Sequence, residues 1–279
     1  MPDPEPICFK PAALIRVTGE DAPDYLQSQF SNDLSKSIPG SVTYGLWLDR
    51  KGKVQADSFV FHLGEEEYLL MSYFCTASAL IAKLDENIIA DEVEMEDATA
   101  GSCIAVYENE AVALSGGFVF SDRLGNTNRV AILYPQPESH LLEQALAPDA
   151  LAYGRIAAGI PAVPQDIGPS DLPQEGGLDK DAVSFNKGCY LGQEVMARLD
   201  AMGRTTRVLH RVSLSALPAA RLPIAIATAD GKSAGELRSV AEREGHIIGL
   251  AMLKNRAVES GAELKLASGE TLKSEHALA

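Results

Sequence analysis

The feature that most limits the fold is the way β-rich apolar runs arrive in pairs across short polar turns. Residues 42–48 and 53–63 are two such runs, separated only by Asp49-Arg50-Lys51-Gly52, whose polar residues and glycine suit a hairpin. A third run, 68–71, follows the acidic turn Gly64-Glu65-Glu66-Glu67. Further strands are expected at 14–17, 103–107, 118–120 and 129–134. Thr18-Gly19-Glu20-Asp21 reads as an N-cap resembling a capping box, with Pro23 in the first turn of a helix that puts Ala22, Tyr25, Leu26 and Phe30 on one stripe. Helices are also expected over 76–89 and 141–146, and the acidic run 85–97 as a solvated helix end passing into an edge strand. Trp47, the single tryptophan, lies between apolar neighbours and fits the core better than a pocket wall.

From residue 205 the pattern changes to short strands, 208–214, 224–229, 236–240, 247–253 and 264–266, with turn signals at Asp230-Gly231 and Ser268-Gly269. A small closed barrel accounts for them. The fold class is therefore α+β, with antiparallel sheets and helices over 1–207 and a C-terminal β-barrel over 208–279. Between the two, the stretch from Arg155 to Gly177 is rich in Pro and Gly and reads as a long loop, which in a compact domain is more often functional than idle.

Charge narrows the function. Lys plus Arg number 24 against 39 Asp plus Glu, a net charge of −15. That balance opposes broad binding to nucleic acid or to anionic membrane, since phosphates are neutralised by clustered cations. No apolar run reaches the roughly 18 residues of a membrane span. The acidic, Pro-rich start Met-Pro-Asp-Pro-Glu-Pro is unlike a signal or transit peptide. A cytoplasmic protein is expected. Cys8, Cys75, Cys103 and Cys189 are scattered without zinc-site spacing, which suits thiols in a reducing compartment; no metal site is expected.

One run has chemistry that neither core nor surface patterning requires: Phe185-Asn186-Lys187-Gly188-Cys189-Tyr190-Leu191-Gly192-Gln193-Glu194. A helical pattern follows, with Leu191, Val195 and Leu199 on one face, an i,i+4 pair of Glu194 and Arg198, and a stop at Gly203. A thiol just ahead of a helix N-terminus with Lys187 nearby is biased toward thiolate. Gly188 and Gly192 let the backbone turn or approach a ligand. Read alone, Cys189 fits an inert buried thiol as well as a reactive one.

The string Lys-Gly-Cys-Tyr-x-Gly-Gln-Glu, followed by Val195-x-Ala197-Arg198, resembles the signature of the YgfZ family of folate-binding proteins that support iron–sulfur enzymes. These are relatives of the glycine cleavage T-protein, an aminomethyltransferase. Leu14 to Gln29, Asp49-x-Lys51-Gly52, and Gly235 to Ser239 with Gly249 to Ala251 are similar to further segments of that family in the same order. The resemblance implies Cys189 and Lys187 as the reactive pair, and Gly188, Tyr190, Gly192, Gln193, Glu194 and Arg198 as residues that hold tetrahydrofolate or a one-carbon derivative. It implies folate and client iron–sulfur proteins as partners. Gln193 and Glu194 are expected to hold the helix start by hydrogen bonds to the loop, and Cys8, in a loose terminus, to be the thiol that competes with Cys189.

Two departures matter. Ala157 stands where many relatives carry a Glu that grips the pterin, which should weaken folate binding. Gln55 and Ala56 stand where the T-protein has its Asp pair, with Asp57 one residue late and so on the opposite face of a strand. An iron–sulfur maintenance factor is thus favoured over a folate-dependent aminomethyltransferase or other one-carbon transferase, with a binding protein that merely keeps the fold as a third reading.

Overall fold

The computed structural model describes residues 7–107, 117–121, 123, 130–136, 141, 143, 145, 151–203 and 205–279. The first sheet holds β2 (Ala13–Thr18), β3 (Val42–Leu48), β4 (Val54–Gly64), β5 (Glu67–Ser72) and β6 (Glu94–Asp97) in the order β3-β4-β5-β2-β6. All its pairs are antiparallel, as the turns predict. The acidic strand β6 takes the edge, where carboxylates discourage pairing with another chain.

Helices α1 (Ala22–Gln29) and α2 (Ala77–Asp85) cover one face of this sheet, where Tyr25, Leu26, Phe30, Leu80 and Leu84 pack on Ile15, Trp47, Ala56, Val60 and Leu70. Trp47 is core. Its ring lies 4.8 Å from Phe30 and its Nε1 donates to Ser58 Oγ at 3.0 Å. The capping box is absent: Asp21 is the N-cap of α1 without a side-chain cap, and its carboxylate accepts from the Glu92 amide instead.

The other face packs on a second sheet, β1 (Ile7–Phe9), β7 (Cys103–Tyr107), β9 (Val130–Tyr134) and β8 (Phe118–Ser121), in that order. Phe59 and Phe61 meet Phe9, Ile104, Val106, Phe120 and Leu133 there. Strand β4 is therefore buried on both faces, even residues toward the helices and odd ones toward the second sheet. Cys8, expected in a loose terminus, sits inside β1 and pairs in register with Ala105. The helix expected over 141–146 and the start of the 129–134 strand fall largely outside the described residues.

The segment read as loop begins inside α3 (Ala152–Ala157) and holds a 3-10 turn (Pro173–Gly176), with the short helix α4 (Asp179–Ala182) just after it. After α5 (Gln193–Met202), six strands close a barrel in the order β10-β13-β12-β11-β14-β15: β10 (Arg207–Leu214), β11 (Ile224–Thr228), β12 (Ser233–Arg243), β13 (His246–Lys254), β14 (Leu264–Leu266) and β15 (Thr271–Ala277). Helix α6 (Asn255–Glu259) links β13 to β14. Five of these strands were expected. β15 was not, because its burial pattern is mostly exposed and carries little apolar alternation; it is required to bridge β10 and β14.

A shared core joins the parts: Leu46, Leu48 and Val54 from the first sheet, Ile156, Val163 and Ile167 from the connecting segment, and Leu209, Leu250 and Met252 from the barrel. Two buried aspartates pin that segment to the barrel. Arg155 donates to Asp166 Oδ2 at 2.5 Å and to Ser239 Oγ, while Ser239 donates to Asp166 Oδ1. Asp171 accepts from Arg238 at 2.6 Å and from Arg207 at 2.8 Å, and Arg207 also reaches Glu175. The stretch read as a long loop is bolted to the barrel by these pairs.

Removing one partner of a buried ion pair leaves the other charge uncompensated. Arg238→Met should cost about 3–5 kcal/mol in urea denaturation. Arg207→Met, whose side chain is 30% exposed, should cost less than half of that.

Candidate functional site

Helix α1 ends with carbonyls that have no partner within the helix, and no basic residue lies in its last turn. The missing cation arrives from far along the chain. Lys187 Nζ donates to the carbonyls of Gln27, Phe30 and Asn32 at 2.6, 2.7 and 2.9 Å. An ammonium has three N–H donors, and all three are taken. The C-terminal end of a helix dipole adds attraction.

The neighbouring backbone follows this anchor. Ser184 N donates to Ser31 O, Leu191 N to Ser28 O, and Gln193 Nε2 to Lys187 O at 3.4 Å. Residues 184–192 thus form a loop laid over the end of α1. The expectation that Lys187 partners the Cys189 thiolate is corrected: its charge is directed into the carbonyl cage and its side chain is buried. Burial pushes Lys187 down to about 8, against the pull of Asp33.

Cys189 stands at the exposed part of the loop, and it is the sole exposed thiol of the four. The helix behind it begins later than expected: Gly192 is the N-cap of α5 and Gln193 its first residue, so Cys189 lies three residues before the cap. The helix ends at Gly203 as predicted. The other thiols are pushed up by burial, Cys75 to about 12, Cys103 to about 11, and Cys8 in the same direction. Cys8 is therefore no competitor.

The six residues expected to hold folate have different surroundings along the loop and α5. Tyr190 is 6% exposed and packs in the core shared with the barrel, its hydroxyl without a hydrogen-bond partner and pushed up to about 12 by burial. Gly192, at φ 86°, presses on the β3–β4 hairpin: a Cβ there would lie 2.7 Å from Asp49 O and 3.2 Å from Gly52 Cα. Around Gly188 a Cβ would meet nothing within 4 Å. Gln193 holds the loop, as expected, whereas Glu194 and Arg198 are exposed on α5 and no ion pair joins them.

A second polar cluster lies on the odd face of β4, around Asp57, whose partners the sequence did not reveal. Asp57 is 6% exposed; Oδ2 accepts from Tyr44 Oη at 2.9 Å and Oδ1 from Ser72 Oγ at 2.8 Å. The Arg123 guanidinium stacks 3.8 Å over the Tyr44 ring and pairs with Asp181 of α4. Burial raises the Asp57 carboxyl above its ordinary value despite these donors. The signal was a lone acid inside an apolar strand, a residue that is seldom buried without partners. Gln55 instead donates to Lys53 O, and Ala56 faces α1 and α2.

Comparison with known proteins fits this geometry. Residues 10–112 match the GCVT N-terminal domain. The tRNA-modifying protein YgfZ of Vibrio vulnificus is 29% identical over 228 residues, 74% of this chain and 69% of its own. The chain is similar to members of the YgfZ family. The mitochondrial iron–sulfur cluster assembly factor IBA57 of Homo sapiens is 27% identical over 297 residues, 94% of this chain and 81% of its own. Glycine cleavage system aminomethyltransferase T from Bartonella henselae shares the fold, with TM-score 0.76 and 15% identity over 99% of this chain and 86% of that one. Within the YgfZ family resemblance, the Lys-Gly-Cys-Tyr run is now a loop built on a buried ammonium.

At neutral pH a neutral alkylating reagent should label Cys189 alone in the folded protein, with the other three thiols labelled only in denaturant; mass spectrometry reads this directly. Lys187→Met should cost about 2–4 kcal/mol, because it strips three carbonyls of their donor. The folded-state value of Lys187, about 8, lies below the unfolded value near 10.5. Between them the unfolded chain binds the extra proton, so this group makes stability rise with pH. Denaturation at pH 8 and 10 should show wild type gaining on Lys187→Met.

Proposed function

We propose that the chain supports the assembly, repair or maintenance of iron–sulfur proteins, with Cys189 as the working group and Lys187 as the residue that positions its loop. The observation that carries the reading is the exposure of Cys189 on a segment held by a buried cation, while the other three thiols are shielded. A thiolate so placed can ligate iron or attack an oxidised sulfur on another protein. The relative named as an iron–sulfur cluster assembly factor supports the same role. A reducing compartment such as the cytoplasm would keep Cys189 reduced.

Reduced folate belongs to this reading at the Asp57 cluster and not at the loop. A pterin presents ring N–H and amino donors, and a buried carboxylate beside the aromatic Tyr44 has the acceptor chemistry to meet them. Calorimetry with tetrahydrofolate should show binding that Asp57→Asn weakens at least tenfold and that Cys189→Ser leaves intact. Aminomethyl transfer is disfavoured, since Gln55 and Ala56 supply no carboxyl for proton transfer and both oxygens of the neighbouring Asp57 are already engaged by Tyr44 and Ser72. A reconstituted glycine cleavage system with this chain in place of T-protein should form no methylenetetrahydrofolate.

The deciding experiment is complementation. In a deletion strain, wild type should restore a panel of iron–sulfur enzyme activities and Cys189→Ser should not, with both proteins present at equal level. Full restoration by Cys189→Ser would overturn the reading.

A further inference from the structure

The hairpin between β3 and β4 presents Arg50 and Lys51 to solvent, with Lys53 half-buried behind them. Its tip is ordered: Asp49 Oδ1 accepts from the amides of Lys51 and Lys53 at 2.8 Å each, and Gly52 N donates to Asp49 O. The tip is seated on the Cys189 loop through the backbone contact between Gly52 and Gly192. Gly192 follows Cys189 by three positions, so their Cα atoms are at most about 11 Å apart.

What sets these cations apart is their place beside the Cys189 loop. Some surface cations are neutralised by a carboxylate, as Arg16 is by Glu67, Arg211 by Glu275 and Lys265 by Glu263. Among the described residues no carboxylate side chain pairs with Arg50, Lys51 or Lys53. Asp49 is directed to backbone amides, and Glu194 is the other acid at the junction. Phe185, on the same loop as Cys189, is an exposed large hydrophobic side chain.

We infer that the hairpin tip Arg50-Lys51, with the adjoining Cys189 loop, is a docking surface for an acidic face of a partner protein. The inference rests on the reading that Cys189 acts on other proteins, and it adds what those proteins present. Two or three cations are too few for a nucleic acid, whose binding at physiological salt draws on about 6–10 phosphate contacts. They suffice to steer and orient an acidic protein surface, with Phe185 supplying apolar contact.

The test reads the potential at Cys189 without a client. Its reaction rates with the anionic dithiobis-nitrobenzoate and the neutral dithiodipyridine are measured on the full chain. The anionic-to-neutral ratio should fall about fourfold at low salt in Arg50→Glu/Lys51→Glu, and the difference should vanish near 1 M salt. Lys265→Glu, far away on β14, should leave the ratio unchanged. Decaglutamate should slow neutral-reagent labelling of Cys189 in wild type and in Arg50→Lys, but not in the double reversal. Bulk tRNA at physiological salt should give no protection. An unchanged ratio in the double reversal, or no protection by decaglutamate, overturns the inference; protection by tRNA at that salt assigns the surface to nucleic acid and overturns it equally. If the ratio shifts as expected while Cys189→Ser still restores the iron–sulfur enzymes, the surface stands and the proposed function fails.

Discussion

Two aspartates with almost no access to solvent govern how this chain is put together. Asp166 and Asp171 lie in the segment that leads from the sheets to the barrel, and their arginine partners come from both sides of it. A buried carboxylate without such a partner is costly enough to prevent the arrangement altogether. The segment can therefore dock in one way only, with Arg155 and Arg238 delivered to it. The apolar core shared by sheet, segment and barrel fills in around that polar frame.

The same logic repeats at smaller scale near the thiol. A buried ammonium needs acceptors, and the frayed carbonyls at the end of α1 need donors; each resolves the other's deficit. The order of the Cys189 loop is inherited from that exchange. Cys189 itself makes no demand on the fold, which leaves it open to outside chemistry. Under the proposed function, reactivity and stability are thus divided between two residues that are neighbours in sequence.

Legibility followed the physics of each element. Strands with strong apolar runs and Gly-bearing turns, such as β3, β4 and β13, could be read directly, because local pattern and tertiary burial agree there. β15 could not, since closure of the barrel demands it and its own residues do not. β1 is three residues long and depends on register with β7. The importance of Lys187 was legible but its role was not: the carbonyls it serves lie more than 150 positions earlier. Asp57 was read as an acid out of place because alternation was applied to a matched motif, whereas its partners Tyr44 and Ser72 come from flanking strands.

The contact of Gly52 with Gly192 links the histories of two distant stretches. Both positions resist a side chain: a Cβ on Gly192 would meet the Asp49 carbonyl oxygen, and Gly52 has φ 71° and faces the Met196 and Val195 side chains of α5. A single replacement at either site would need a compensating shift across the contact. Hairpin and thiol loop should consequently drift together over evolutionary time, so that chains differing in the hairpin tip also differ in the approach to the cysteine.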